Sequence, residues 1–123
     1  MIETIAGLPD NVVGFIAKGQ LTKKDYEDVL IPTVEDALKR RHKVRLYYEL
    51  GSQLTGIDAG AAWEDTKIGM EHLTRWERIA VVTNVDWIKY TVNTFRFVLP
   101  GDIRVFPTTQ AAAARSWIVS PEN

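Results

Sequence analysis

The chain has 123 residues, with 15 basic and 16 acidic side chains and no cysteine. That length suits one ordinary domain, 1–123, able to bury about two thirds of its unfolded surface without a disulfide or a metal. The balanced charge lacks the positive excess of a nucleic-acid binder, and the missing cysteine excludes disulfides, thiol catalysis and cysteine-ligated zinc.

Met1 to Thr4 carries no signal-peptide pattern, and no apolar run approaches a membrane span. A cytoplasmic protein, soluble or peripheral to a membrane, is therefore expected. Ile2 to Leu8 and Val12 to Ala17 read as short strands, and the turn chemistry of Pro9-Asp10-Asn11 makes them antiparallel. Thr22 opens the first helix, with Asp25 three residues on in a capping-box arrangement. Tyr26, Val29, Leu30, Val34, Ala37 and Leu38 repeat at helical spacing as its buried stripe. Pro32 removes a backbone donor in the middle, which predicts a kink or two helical pieces.

Lys43 to Leu50 is the third strand. The two glycines of Gly51-Ser52-Gln53-Leu54-Thr55-Gly56-Ile57 predict a loop, after which Asp58 caps the second helix. Ala59, Trp63, Thr66, Met70 and Leu73 mark that helix's expected inner face. Arg78 to Thr83 is a continuous apolar strand, which predicts burial of Ile79 to Val82 on both faces and hence a parallel sheet. Asp86 opens a third helix running to about Leu99, stopped by Pro100-Gly101. Ile103 to Phe106 is the fifth strand, and a last helix runs from Thr109 to about Ile118. Alternation of strand and helix is the α/β signature.

His42 and His72 have no partner at metal spacing, and no HExxH, catalytic-serine or phosphate-loop motif occurs. No cofactor and no enzymatic activity are expected. The basic cluster Lys39-Arg40-Arg41-His42-Lys43 with Arg45 suits a helix C-terminus, with an anionic surface as the alternative. The segment after the third strand is the expected ligand site, because ligands of open α/β sheets sit beyond the carboxyl ends of strands. Glu49, Ser52, Thr55 and Asp58 supply its polar groups, and Trp63 and Trp87 the apolar surface nearby.

The third helix carries more apolar surface than one sheet face needs. At about 100° per residue, Lys89, Asn93 and Arg96 fill a stripe about 60° wide, while the apolar residues spread over roughly 220°. Neighbouring helices are the first expected covering. A second subunit, a bilayer surface or an apolar ligand are the others, with Trp87, Tyr90 and Phe97 buried in it and Lys89 and Arg96 at its polar margin.

Several local patterns, in order, resemble the SpoIIAA-like family, distant relatives of STAS-domain anti-sigma-factor antagonists. They are Leu21-Thr22-Lys23-Lys24-Asp25-Tyr26, Lys43-Val44-Arg45-Leu46, Trp63-Glu64-Asp65, Arg78-Ile79-Ala80-Val81-Val82, Asp86-Trp87, Arg104-Val105-Phe106, and Ala112 to Ala114 followed by Trp117. The resemblance implies a four-turn β/α superhelix with a leading antiparallel strand, a broad fold shared with CRAL-TRIO lipid-binding domains. The fold expected is thus α/β, a mainly parallel sheet of about five strands with about four helices. For function the resemblance implies small-ligand binding or membrane association. STAS antagonists carry a phosphorylatable serine after an Asp at the start of the helix following the third strand; here Ala59 follows Asp58, so no kinase-controlled switch is implied. The expected function is non-enzymatic binding of a small apolar or amphipathic ligand or a lipid surface. The rival is a STAS-like protein–protein interaction module without that serine.

Overall fold

The computed structural model describes residues 1–121, the side chain of Met70 apart. Five strands, β1 (Ile2–Thr4), β2 (Val12–Leu21), β3 (Val44–Ile57), β4 (Trp76–Thr83) and β5 (Asp102–Phe106), form one sheet in sequence order. β1 is antiparallel to β2, and every later pair is parallel. Lys23–Asp25, a π-helical turn Tyr26–Leu30 and Ile31–Arg40 run on as one segment, α1; α2 is Ala59–Glu71, α3 Asp86–Phe95 and α4 Ala111–Val119. The α/β fold, the antiparallel first strand and the number of elements are as expected from the sequence.

Parallel neighbours need crossover connections, and these are right-handed. Because each strand is added on the same side of the last, α1, α2 and α3 all fall on one face of the sheet. Phe15, Ala17, Tyr48, Leu50 and Val81 face them in the larger core cluster. On the opposite face Val12, Tyr47, Ala80 and Val82 pack against Ala114 and Ile118 of α4. Ala80, Val81 and Val82 are buried, as a strand covered on both sides must be; Ile79 is half-buried, because it borders the cavity described below.

The Thr22 capping box forms: its hydroxyl accepts from the Asp25 amide at 3.2 Å, and Asp25 accepts from the Thr22 amide at 2.9 Å. The break expected at Pro32 lies just before it. Pro32 has no N–H to give the Asp28 carbonyl, and the Ile31 N–H reaches back five residues to Tyr26. Tyr26, Leu30, Val34, Ala37 and Leu38 are buried as their spacing predicts.

Several boundaries differ from the sequence reading. The first strand ends at Thr4 rather than Leu8, and the second runs on to Leu21. Residues 51–57 are not a loop: they continue β3 and pair with an equally extended β2, Gly19 with Leu54 and Leu21 with Ile57. Gly19, at φ +62, absorbs the register shift there. α3 begins at Asp86 as expected, after the N-cap Val85, whose N–H donates to the Thr83 hydroxyl at 3.1 Å. That helix ends at Phe95 instead of Leu99.

The expected inner face of α2 is also rotated. Ala61, Glu64 and Ile68 are buried, whereas Ala59, Trp63 and Thr66 are exposed. Met70, placed on that face by the sequence, lies outside the described side chains.

The turn into β5 leaves no room for a side chain at Gly101. A Cβ there would stand 2.3 Å from the Trp76 carbonyl oxygen and 3.1 Å from that of Glu77. Backbone at that distance must move, so Gly101→Ala is expected to destabilise the fold by about 1–3 kcal/mol. Urea unfolding measures this as a lower midpoint; an unchanged midpoint would contradict the close approach of these two chain segments.

Candidate ligand-binding site

A cavity of about 220 Å³ lies between the sheet and the helices α2 and α3. Its floor is Leu46, Tyr48, Leu50, Ile79, Val81 and Ile103, alternate residues of β3, β4 and β5. α2 supplies one wall through Ala62, Asp65 and Ile68, and α3 the other through Trp87, Ile88 and Phe95. α2 leans on α1, while α3 packs on β4 and β5, so the volume between the two helices stays open.

The lining is apolar except at one end. Tyr26 from the π-helical turn and Tyr48 from β3 join hydroxyls at 2.8 Å, both side chains being buried. Asp65 stands beside them. The Tyr26 hydroxyl faces its carboxyl and favours the anion, but surrounding apolar groups outweigh this and push Asp65 up to about 6. Asp65 is an exposed residue of α2 that borders the cavity. Burial, and then the nearby Asp65 charge, drives both phenols well above the ordinary tyrosine range, so they stay protonated. Thr66 and Thr91 also border the cavity, but their hydroxyls are spent on the helix carbonyls of Ala62 and Trp87. Trp76 lies five residues before Val81 on β4, roughly 16 Å along the strand. Its indole N–H is buried without an acceptor among the described residues.

Of the ligand-binding residues expected from sequence, Trp87 alone lines this cavity. Glu49 lies on the opposite face of the sheet, where its carboxylate accepts the Tyr47 hydroxyl at 2.7 Å. Ser52 and Thr55 are exposed on the β3 extension. Asp58 occupies the N-cap of α2, but its side chain accepts from Gln20 Nε2 at 2.5 Å and makes no cap bond. Trp63 is 65 % exposed. Sequence does not mark Tyr26, Tyr48, Asp65 and Trp76 as site residues; Tyr26 reads as core, an Asp in mid-helix reads as solvated, and no residue spacing connects positions that four separate elements bring together.

Neighbouring helices do not cover the apolar excess of α3. Trp87 is 57 %, Tyr90 78 % and Phe97 93 % exposed, and Lys89 pairs locally with Asp86 at 3.3 Å. Arg96 is exposed beside them. Much of the basic cluster is engaged within the chain. Arg40 and Arg41 both hold Asp10 at 3.2 Å, and buried Arg45 pairs with Glu77. His72, which lacks a metal-spaced partner in sequence, comes near Glu35 and Glu71, their ligating atoms within 4.8 Å of one another. Both carboxylates are exposed, while the His72 Nε2 is buried without a partner among the described residues. Among the described residues no helix is long and apolar enough to cross a membrane.

The SpoIIAA-like family model matches residues 12–119. A solved structure of similar shape is that of an uncharacterised protein of the DUF3478 family with a SpoIIAA-like fold, from Shewanella loihica PV-4. It aligns with a TM-score of 0.74 at 25 % identity, over 96 % of this chain and 92 % of that one. No curated protein matches the chain.

A carboxyl held near 6 in the fold and at 3.8 when unfolded stabilises the protein fully below pH 3.8, and the contribution is lost as pH rises through 6. Asp65→Asn removes that dependence. The variant is expected to melt several degrees above the wild type at pH 8 and together with it near pH 3.5, as read by calorimetry. Equal melting temperatures at pH 8 would place Asp65 in ordinary water.

Proposed function

The chain belongs to the SpoIIAA-like family, and from that premise we propose a binding domain without catalytic activity that takes a small apolar or amphipathic molecule between its sheet and helices α2 and α3. The observation that carries this reading is the cavity itself: about 220 Å³, walled almost wholly by aliphatic and aromatic side chains, with one carboxyl and two phenols gathered at one end. Small-molecule sites have this character, apolar walls with a small number of orienting groups.

Gly69 offers a direct test. It lines the cavity, and a Cβ built on it meets nothing within 4 Å. Gly69→Leu therefore has open space at its Cβ and is expected to place its side chain in ligand space, and as a helix-interior change it favours folding by up to about 1 kcal/mol. In methyl-resolved NMR, 1-octanol is expected to shift resonances of Leu46, Ile79 and Ile88 in the wild type and leave them unmoved in Gly69→Leu. Equal shifts in the two proteins, or none in the wild type, would refute the cavity as a binding site.

A second reading is favoured by the exposed aromatics of the α3 region. Sheltering one such side chain contributes roughly 1.5–3 kcal/mol, so an exposed Trp87, Tyr90 and Phe97 suit a lipid surface, with Lys89 and Arg96 at headgroup level. Trp87 belongs to both the cavity wall and this surface. Sedimentation with anionic liposomes is expected to carry the protein down, and Trp87→Ala to reduce this severalfold with the fold intact. A dimer by light scattering that ignores liposomes would favour the STAS-like interaction module instead.

A further inference from the structure

The polar end of the cavity has a definite hydrogen-bonding sense. Tyr26 and Tyr48 share one bond between their hydroxyls, and Tyr26 faces Asp65. With Tyr48 donating to Tyr26, and Tyr26 turned to Asp65, both phenolic hydrogens are engaged by protein acceptors. What remains unspent is acceptor capacity: lone pairs on the hydroxyls and on the carboxylate oxygens. No cation stands among the groups acting on Asp65, and the other acid acting on Tyr48, Asp25, is already held by the N-terminal amine at 3.3 Å. The lumen therefore ends in a negative, acceptor-rich corner surrounded by apolar walls.

A ligand that completes this corner brings donors and positive charge. Resting on the cavity reading above, we propose that the cavity selects an apolar primary amine, whose ammonium group meets Asp65 and the Tyr26–Tyr48 pair while its hydrocarbon lies along Leu46, Ile79 and Ile88. A carboxylate of the same shape meets the corner as a like charge beside unpaired acceptors, an arrangement that costs binding. Asp65 is ionised at pH 8, which supplies the charge the amine requires. For size, an engineered apolar cavity of about 150 Å³ accepts benzene, so the present volume suits a ligand of roughly nine non-hydrogen atoms.

Octylamine, 1-octanol and octanoate are matched probes, titrated calorimetrically at pH 8 into the intact chain. Octylamine is expected to bind about tenfold or more tighter than octanoate, the usual scale of one charge-assisted contact, with 1-octanol between them. Asp65→Asn should bring the three within about threefold of one another while 1-octanol still binds, which also shows that the cavity survives the substitution. Binding of octanoate as tight as octylamine, or an undiminished amine preference in Asp65→Asn, overturns the selection. If 1-octanol binds the wild type without amine preference, the selection falls and the cavity reading stands. If none of the three binds, both fall.

Discussion

The handedness of the crossovers governs this molecule. Four parallel strands laid side by side in sequence order oblige three successive right-handed connections to place their helices on one face. Strands lie about 4.8 Å apart, so β2 to β5 span roughly 14 Å, whereas three helices abreast need about 16–20 Å between their outer axes. α1 takes the side of β1 and β2, and α3 the side of β4 and β5. The middle helix has too little width to settle fully. α2 rests against α1 instead, and the space it leaves above β3 and β4 is the cavity.

The opposite face shows what closure looks like. There a single helix, α4, is pinned at its C-terminus by two arginines. Arg45 donates to the carbonyls of Ile118 at 2.9 Å and Ser120 at 2.6 Å, and Arg78 to that of Trp117 at 2.8 Å. These cations answer the free carbonyls and negative end of the helix dipole. Arg78 and Arg104 also lie over the Trp117 ring, at 5.4 Å and 4.5 Å from its centre. A face tied in this way is fixed. The cavity face, whose α3 buries Ile88 alone, is where the molecule has freedom to admit something.

Much of this was legible before the structure. The Thr22–Asp25 cap, the stripe from Tyr26 to Leu38 and the apolar run at 79–82 each state their own local structure, and their order carries the family. The apolar excess of the third helix was legible too, though not its lack of a covering helix. What failed depends on distant partners. Residues 51–57 read as a loop because glycines and polar side chains crowd them; they are strand because β2 extends equally far and supplies hydrogen bonds. Ala59 to Glu71 mixes small, charged and aromatic residues without a clean stripe, so its phase was misread and Trp63 was turned inward. Asp65 has no signature in sequence, since its setting is made by tyrosines on two other elements.

The π-helical turn at 26–30 has a consequence for how this chain tolerates change in length. It holds one residue more per turn than an α-helix, and it lies between the capped start of α1 and the stripe Val34, Ala37 and Leu38. Deleting a single residue there lets the turn revert to ordinary α-helix, which would leave both flanking faces in phase with the core. The same deletion six residues later would swing the remaining stripe by about 100° toward solvent. Tyr26 would lose its place at the turn in the first case and keep it in the second. The segment that tolerates shortening is thus the one that positions the polar corner, so a homologue shortened there could keep this fold while losing that corner.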